Sequence, residues 1–405
     1  MNNHLLPAAY KLRQDQVWYP DLYKKIAHWL YSLHGGQGGF CTNLSRSSSS
    51  FSSSTTLASP ATHSKSPIPI RIVCISDTHN STPQHVPDGD VLLHAGDLTR
   101  KGSFDELQTQ LDWIASLPHR HKVVIAGNHD LLLDSKFGAA DGRPGSLGVN
   151  ESGTAQGRKK SKEDLDWKDI IYLQDSAVTL NVRASNETKD SDQVDEEVKS
   201  DERTLKIYGS PKVPECGTWA FQYLAVNDVW SGRLPGDVDI VMVHTPPALY
   251  CDETYSSSIS SRVSRKGDGY LLQELRRVKP RLVVCGHLHD GYGQTALVHD
   301  EVCRLRELVL LERAGLLAVV MMSLWVVYFR LETLMYNLGK QVFMHYERVI
   351  DSDSSSPSSR LSASAATAPS PSDKTVIGTS IVNAAVSPGK KYDENKSAIV
   401  VNLSV

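Results

Sequence analysis

Residues 123–130, Val-Val-Ile-Ala-Gly-Asn-His-Asp, join an apolar run to a short polar signature. The same arrangement recurs at four other places, where apolar runs lead into Asp77-Thr-His79, Gly96-Asp97, His244 and Gly286-His287-Leu-His289. Short β-branched runs that end in polar residues indicate buried strands bounded by loops. In open α/β sheets, ligands bind at the carboxyl ends of such strands. We therefore predict an α/β fold that gathers Asp, His and Asn side chains at five strand ends.

Each signature is weak evidence when it is taken alone. A single histidine at a strand end is more often a core or loop residue than a ligand, and a motif needs a matching structural context. Five signatures in the same context are hard to attribute to packing. Helices predicted at about residues 103–117 and 268–278 alternate with the strands, which is typical of α/β proteins.

The residue types in the signatures suit a site that holds two divalent ions. Two ions about 3.5–4 Å apart bind phosphoryl oxygens, activate a water between them and neutralise charge in the transition state. One carboxylate must bridge the ions, and Asp97, which follows a glycine, suits that position. Imidazole and carboxylate ligands together favour Mn, Fe or Zn. No cysteine lies in the signatures, which argues against a structural zinc cage.

Taken in this order, the five signatures resemble those of the calcineurin-like metallophosphoesterase superfamily. Three further stretches resemble its metallophosphoesterase-domain-containing branch, which is related to cyclic-nucleotide phosphodiesterases. They are Ile207-Tyr-Gly-Ser-Pro followed by Trp219-Ala-Phe221, His244-Thr-Pro-Pro247, and Gly286-His-Leu-His-Asp-Gly-Tyr-Gly293. The resemblance covers residues 70–135 and 170–298 and resumes at 375–404. It implies a four-layer α/β/β/α sandwich with a dimetal site at the strand ends.

The resemblance also assigns roles to individual residues. It implies that one metal is held by Asp77, His79 and His289, that the other is held by Asn128, His244 and His287, and that Asp97 bridges the two. His129 matches an outer-sphere histidine that protonates the leaving oxygen or stabilises the phosphoryl charge. Asp130 either orients His129 or is an ordinary helix-start aspartate. Arg100 either faces the phosphate or is a solvated loop arginine.

The function that this resemblance implies is hydrolysis of a small phosphodiester, with a cyclic nucleotide favoured, by metal-activated hydroxide with His129 assisting. Two alternatives remain open. A protein phosphatase normally carries Arg before the Gly-Asn-His signature, where Ala126 stands. A catalytically inactive scaffold normally loses ligands, and all are retained here. Thr245 stands where the family usually has Gly after the histidine. If that position needs a positive φ, a β-branched residue is costly there.

Composition divides the 405 residues into one core and several low-complexity segments. The predicted core spans 69–300 and regains its terminal strands at 375–405. Segments 44–68 and 351–374 are predicted linkers, and about 136–163 and 186–203 are predicted disordered insertions. The formal net charge of −3 predicts no general nucleic-acid binding. Scattered cysteines and an N-terminus without the order of a secretory signal favour a cytoplasmic location.

Two further segments have apolar patterns. The N-terminal segment 1–43 is predicted to be amphipathic, since apolar residues recur at helical spacing at Leu22, Ile26, Trp29, Leu30 and Leu33. The predicted apolar helical insertion 301–350 contains a charge-free run, 314–329, between Arg313 and Arg330. As a helix this run is about 24 Å long, shorter than the ~30 Å hydrocarbon core of a bilayer. Segment 308–336 therefore either packs on the domain or makes peripheral contact with one membrane leaflet.

Overall fold

The computed structural model describes residues 20–34, 69–135, 160–182, 203–255, 263–353, 378–387 and 396–404. The predicted linker 44–68, almost all of the linker 351–374 and most of the two predicted insertions lie outside these residues. The helices are α1 (Pro20–Leu33), α2 (Phe104–Ser116), α3 (Gly269–Val278), α4 (Glu301–Leu310) and α5 (Leu316–Asp353). The strands are β1 (Pro69–Ile75), β2 (Val91–Ala95), β3 (His121–Ile125), β4 (Ile170–Tyr172), β5 (Ser176–Val182), β6 (Arg203–Ser210), β7 (Val213–Pro214), β8 (Gln222–Tyr223), β9 (Ile240–Val243), β10 (Glu253–Tyr255), β11 (Val263–Arg265), β12 (Leu282–Cys285), β13 (Gly293–Val298), β14 (Gly378–Asn383) and β15 (Ile399–Ser404).

Two main sheets contain most of the strands. The first has the order β15-β1-β2-β3-β4, and the second has the order β13-β14-β12-β9-β6-β5. The central pairs β1–β2 and β2–β3 of the first sheet are parallel, as are β6–β9, β9–β12 and β12–β14 of the second. β15 and β5 pair antiparallel with their neighbours. Parallel neighbours need crossover connections, and helices lie in the connections from β2 to β3, from β9 to β12 and from β12 to β14.

Side chains of the central strands alternate between two cores. Ile72 and Cys74 of β1 lie in the core between the two sheets, whereas Val73 and Ile75 lie in a second core on the outer face. This division follows from the two-residue period of a strand. All four side chains are fully buried, so both faces of the sheet are covered, as parallel strands require.

Helix α2 covers the outer face of the first sheet. It connects the parallel neighbours β2 and β3, and it packs on the outer core through Leu107, Leu111 and Ile114. A capping box begins the helix, because Ser103 accepts a hydrogen bond from the Glu106 backbone and the Glu106 side chain bonds back to Ser103. The predicted helix over 103–117 is therefore confirmed to within a residue at each end.

Helix α3 provides the fourth layer. It connects the parallel neighbours β9 and β12, begins at an N-cap formed by Asp268, and buries Leu271, Leu272 and Leu275. The inner faces of β9 and β12 fill the core between the sheets, so a crossover helix between them covers the outer face. The layers are therefore α/β/β/α, and the predicted fold class is confirmed.

The polar signatures all follow strand ends at one edge of this sandwich. β1, β2 and β3 end at Ile75, Ala95 and Ile125, immediately before the Asp77, Asp97 and Asn128 loops. β9 and β12 end just before His244 and Gly286. Backbone hydrogen bonds hold neighbouring ends together, from Asp77 N to Gly96 O (2.9 Å) and from Gly286 N to His244 O (3.0 Å). The topology thus places the candidate ligands together.

The described chain divides into two compact units. One contains the two sheets with α2 and α3, and the other contains α1, α4 and α5. In the helical unit, the apolar core is formed by Ala27, Leu30, Tyr31, Val302, Leu305, Val309, Ala318, Val319, Met322 and Val326. Of the predicted apolar stripe on α1, Ile26, Leu30 and Leu33 pack in this core, whereas Leu22 and Trp29 are exposed.

Helix α5 extends beyond the charge-free run 314–329, since it continues to Asp353 and has 38 residues. Its segment Leu316–Gln341 is the one part of the described chain that is long and apolar enough, by length and composition alone, to cross a membrane. Only 22% of its apolar window is buried. The apolar surface of the segment Leu316–Gln341 is therefore mostly exposed.

Candidate metal centre

Asp77, His79 and His289 form a first cluster. Their ligand atoms lie within 4.8 Å of one another. His289 Nε2 is 3.2 Å from Asp77 Oδ1 and 3.3 Å from His79 Nε2. His79 Nδ1 bonds to the Thr99 carbonyl at 3.0 Å, which orients the ring and leaves Nε2 as the free ligand atom. Two imidazole nitrogens and a carboxylate thus converge on one point.

Asp97, His244 and His287 form a second cluster under the same 4.8 Å limit. Asn128 joins it, since its Oδ1 lies 3.2 Å from His244 Nε2. His244 Nδ1 bonds to the Ala95 carbonyl at 2.8 Å, so its Nε2 is again the atom directed into the cluster. All seven predicted metal-ligand residues are therefore distributed over two adjacent clusters. The ligand roles themselves stay predictions.

Asp97 lies between the two clusters. Its Oδ2 is 3.7 Å from His79 Nε2 of the first cluster and 3.4 Å from His244 Nε2 of the second. Its other oxygen, Oδ1, accepts a hydrogen bond from the His129 backbone N–H at 2.8 Å. One oxygen of Asp97 thus faces both clusters, which is the geometry that a bridging carboxylate needs.

The protonation of these groups fits metal binding. Burial acts to raise the pKa of Asp77, but the hydrogen bond and charge of His289 hold it well below its usual range. Burial lowers the pKa of His287 to about 4, which keeps this imidazole neutral. His244 is the exception: burial acts to lower its pKa, but the charge and hydrogen bond of Asp97, the charge of Asp77 and the Ala95 carbonyl together raise it to about 9. Ionised carboxylates and a neutral imidazole are the forms that bind metal, and His244 would release its proton on binding.

Four of the candidate ligands have an unusual backbone. The φ angles are 55° at Asp77, 45° at His79, 55° at Asp97 and 65° at His287. Positive φ is uncommon outside glycine, although Asp and His tolerate it better than most residues. Such conformations cluster at functional sites and cost on the order of 1–3 kcal/mol each. The sheet edge therefore holds these ligands in strained positions.

The backbone requires glycine at Gly96 but not at Thr245. Gly96 has a φ of 96°, and a Cβ there would lie 2.6 Å from the Ala126 carbonyl oxygen. Thr245 is not among the described residues with positive φ, so the strain that was anticipated at that position does not arise. Its Oγ1 is buried and has no hydrogen-bond partner among the described residues.

His129 lies at the rim of both clusters. Its ligand atom is within 4.8 Å of those of His79 and Asp97. Its Nδ1 donates to the Arg100 carbonyl at 2.8 Å, and its ring centroid is 4.0 Å from that of Trp219. A ring that is fixed through Nδ1 has Nε2 left for proton exchange, which suits the predicted outer-sphere role.

The Asp130 side chain serves chiefly to hold loops together. Its fully buried carboxylate accepts hydrogen bonds from Gly127 N (2.8 Å), Leu98 N (3.2 Å), Thr99 N (3.0 Å) and Thr99 Oγ1 (2.8 Å). It precedes a short 3-10 helix but makes no side-chain cap bond there. Burial, with the nearby charge of Asp97, raises its pKa to about 6. Asp130 therefore ties together the loops that carry Asp97 and Asn128, and it positions His129 only through the backbone.

Arg100 is exposed but anchored. Its Nε donates to the backbone carbonyl of His79 at 3.0 Å, and its backbone N–H donates to Asn80 Oδ1 at 3.2 Å. The guanidinium therefore lies beside a candidate ligand and is not simply a solvated loop side chain. Contact with a phosphate stays a prediction.

The C-terminal part of the chain supplies residues that the sequence did not indicate. Asn383, the last residue of β14, donates from Nδ2 to the carbonyls of Leu288 (2.9 Å) and Cys251 (3.1 Å). Lys396 Nζ donates to the His289 carbonyl at 2.6 Å. Both hold the His289 loop. Asn383 ends an apolar strand as the other signatures do, and that was the available signal.

His94 is a further residue whose role the sequence did not indicate. It is fully buried in β2, where Nε2 is 3.1 Å from Thr78 Oγ1 and Nδ1 accepts from Gly96 N at 3.3 Å. Burial lowers its pKa to about 4. A histidine inside an otherwise apolar strand was the signal, and its position behind the ligand loops makes it a support of their geometry.

Comparison with known proteins agrees with this geometry. The sequence profile of the calcineurin-like phosphoesterases matches residues 70–291. Metallophosphoesterase domain-containing protein 1 of Homo sapiens is 35% identical over 243 residues, which cover 58% of this chain and 66% of that protein. A protein of Emericella nidulans named probable rhamnogalacturonate lyase C is 35% identical over 241 residues, 60% of this chain but 19% of that protein. The chain thus spans about a fifth of one relative and just under two thirds of the other. Since the matched profile covers more than half of the chain and includes both clusters, the chain belongs to the calcineurin-like phosphoesterase family.

Proposed function

We propose that this protein is a hydrolase of phosphoric esters that uses two divalent metal ions, and that its substrate is a small phosphodiester. A cyclic nucleotide is the favoured substrate. The observation that carries the proposal is the position of Asp97, whose Oδ2 lies 3.7 Å from His79 and 3.4 Å from His244. A carboxylate shared by two ligand clusters is the arrangement that a dinuclear site requires.

The two clusters define which residues would hold each ion. Asp77, His79 and His289 would hold one, Asn128, His244 and His287 the other, and Asp97 would be common to both. When bound, the ions would supply Lewis-acid stabilisation of the phosphoryl charge and would activate water. The mixture of imidazole, carboxylate and amide donors favours Mn, Fe or Zn, and Mn is the first ion to test.

The remaining chemistry belongs to side chains of the chain itself. His129, held through Nδ1 by the Arg100 carbonyl and packed on Trp219, would give a proton to the departing oxygen. The guanidinium of Arg100, anchored on the His79 carbonyl, would contact a non-bridging oxygen of the phosphate. Asp130 would keep the loops that carry Asp97 and Asn128 in register.

Two alternatives have less support. A protein phosphatase of the same family would carry Arg before the Gly-Asn-His signature, whereas Ala126 is fully buried there. A catalytically inactive scaffold would have no need to keep seven candidate ligand residues converged, four of them at strained backbone positions. The geometry therefore supports an active phosphodiesterase best.

The decisive experiment measures hydrolysis of bis-p-nitrophenyl phosphate by the purified protein with added Mn²⁺. We compare Asp97→Asn, which keeps the acceptor for the His129 backbone N–H but removes the charge, with Asp237→Asn, an exposed carboxylate paired with Lys206. Loss of the bridging charge should reduce bound metal, because metal binding favours the deprotonated, anionic ligand. It should also lower kcat on the order of 10³-fold, because the charge of the transition state is no longer balanced. Asp237→Asn should match the wild type.

The same assay separates the alternatives. Activity in the presence of a chelator, or full activity of Asp97→Asn, would refute the dimetal mechanism. Faster turnover of a phosphopeptide than of any cyclic nucleotide would favour the phosphatase. Bound metal without turnover of either substrate class would favour the scaffold.

A further inference from the structure

The exposed side of helix α5 is apolar along most of its length. Seven side chains, each at least 45% exposed, recur at alternating spacings of three and four residues: Leu317, Val320, Leu324, Val327, Leu331, Leu334 and Leu338. Met321, Tyr328 and Met335, which are 41%, 54% and 67% exposed, form a parallel row beside them. At 3.6 residues per turn these positions share one side of the helix. We call this side the α5 apolar face.

The opposite side of α5 changes character along the helix. In the first half, Ala318, Val319, Met322 and Val326 are buried in the core of the helical unit. In the second half, the same side carries four exposed polar residues: Arg330, Thr333, Asn337 and Lys340. The second half of α5 is thus amphipathic and has its polar residues opposite the α5 apolar face. This is the pattern of a helix that lies in an interface between water and an apolar medium.

We propose that the α5 apolar face binds a phospholipid leaflet, with the helix lying in the plane of the membrane surface. The distribution of charged residues along α5 is consistent with binding to a phospholipid leaflet. No charged residue occurs from 314 to 329, and Arg313 and Arg330 bound this run, with Lys340 further along. Arg330 and Lys340 lie on the polar side opposite the α5 apolar face, so they would stay in the water layer while the uncharged first half of the face meets the lipid.

The width of the face favours lipid over a second helix. A helical pair seals a narrow seam of two apolar rows, and charged residues usually line both edges of that seam. The α5 apolar face has three rows, because the seven side chains form two rows and Met321, Tyr328 and Met335 form a third. The first half of the face has no charged residue at either edge. A lipid leaflet has no such edge requirement and accepts an apolar face of any width.

The path of the chain restricts the helix to one leaflet. β13, before α5, and β14, after it, belong to the same six-stranded sheet. A single crossing would place the two ends of α5 on opposite sides of the bilayer. The sequence from 354 to 377 is rich in Ser, Pro and Ala and has no second apolar run to bring the chain back. The polar side of the second half of α5 would also be costly inside the hydrocarbon.

Helix α1, in the same unit, has features that suit the same surface. Leu22, Lys25 and Trp29 are exposed and lie on one side of α1, at spacings of three and four residues. Trp29 is 59% exposed. Tryptophan prefers the headgroup level of membranes because its ring is apolar and its N–H is polar.

The test is flotation of the full chain with sealed vesicles of phosphatidylcholine and phosphatidylserine. The wild type should float. The double variant Leu331→Glu with Leu334→Glu places two charges on the α5 apolar face and should lower the floated fraction at least about tenfold. The matched control, Thr333→Glu with Asn337→Glu, adds the same charge to the polar side and should change it less than about twofold. Equal flotation of both variants, or no flotation of the wild type, would overturn the proposal.

Two further measurements complete the test. Circular dichroism should give equal helix content for both variants; if the first is less helical, the neutral pair Leu331→Gln with Leu334→Gln replaces it and should also reduce flotation. Protease added outside the vesicles should reach both ends of α5, and protection of one end would overturn the single-leaflet geometry. A wild type that stays soluble as a dimer, and that Leu331→Glu with Leu334→Glu makes monomeric, would assign the face to a second copy instead.

Discussion

At the residue scale, the metal centre depends on which atom of each side chain is left free. His79 and His244 both bond through Nδ1 to backbone carbonyls and leave Nε2 toward the clusters. Asp97 divides its two oxygens between the His129 backbone and the space between the clusters. Such hydrogen bonds to the second atom of each ligand side chain contribute to the site, because they set the ring orientation and the ligand basicity before any ion binds.

The role of His129 can be tested by varying the leaving group. If His129 protonates the departing oxygen, His129→Ala should lower kcat about 10²–10⁴-fold for a diester with an alkoxide leaving group. The loss should be much smaller for p-nitrophenolate, which leaves without protonation. The measurement is kcat for both diesters in wild type and variant. An equal loss for the two substrates would instead assign His129 to stabilisation of the phosphoryl charge.

His94 predicts a pH dependence of stability. Its pKa is lowered from 6.5 to about 4 in the folded protein, because burial disfavours the charged ring. Between these values the unfolded chain binds more protons, so the free energy of unfolding should fall as the pH decreases, by roughly 3 kcal/mol in total. Chemical denaturation of metal-free protein across this range measures the fall.

The matched variants isolate the contribution of His94. His94→Gln removes the titrating ring and should flatten the pH dependence relative to wild type. His85→Gln, at an exposed position, should leave it unchanged. A wild-type slope retained in His94→Gln would show that other groups cause the effect.

At the element scale, the site is assembled by strands from both halves of the chain. β1, β2 and β3 bring Asp77, Asp97 and Asn128, while β9 and β12 bring the three histidines that follow them. β14 then holds the His289 loop through Asn383. In the sequence, β14 is thus separated from the other strands of the site by helices α4 and α5.

Asn383 should control metal affinity. Asn383→Asp keeps the size of the side chain but removes the amide donors that bond the Leu288 and Cys251 carbonyls. Loss of such supporting bonds typically costs about 10–100-fold in metal affinity. Metal titration should show this loss, and excess metal should restore most of kcat. Ser380→Ala, on the same strand, removes only a bond with Gln294 and should match wild type. Unchanged affinity in Asn383→Asp would exclude this role.

At the scale of the whole molecule, the last strand of the chain pairs with the first strand of the sandwich. β15 lies antiparallel to β1, and Ile72 is opposite Val401. Val401 and Leu403 fill the core between the sheets, together with Ile70 and Ile72. The fold therefore depends on residues beyond the helical unit, although the family profile ends at residue 291.

A pair of substitutions in β15 tests this dependence. Leu403 is 4% exposed in the core between the sheets, and the neighbouring Asn402 is exposed. Leu403→Asp buries an unpaired charge and should lower the free energy of unfolding by more than about 3 kcal/mol. Asn402→Asp introduces the same side chain on the outer side and should change it by less than about 0.5 kcal/mol. Equal effects in a denaturant titration would show that β15 is dispensable.

The sequence by itself indicated the class of fold and the candidate ligand residues, because strand patterns and the polar residues that follow them can be read from local sequence. β-branched runs that end in Asp, His, Asn or Gly mark buried strands and their carboxyl ends, and parallel topology brings such ends together. The resemblance of the motifs to the phosphoesterase family then implied which of these residues would hold the same metal ion. The family comparison agrees with that resemblance.

Tertiary structure alone decided what depends on distant contacts. The Oδ2 atom of Asp97 faces both clusters because His79 and His244 approach it from different sheets. Asp130 proved to hold loops, and Asn383 to hold the His289 loop, because their partners lie far away in the sequence. Thr245 lacks the strain anticipated for it because its φ follows from the surrounding loop and not from residue type. The exposed apolar face of α5 can likewise be identified only from the structure. The hydrophobic pattern of the sequence does not show which apolar side of the helix packs against other helices.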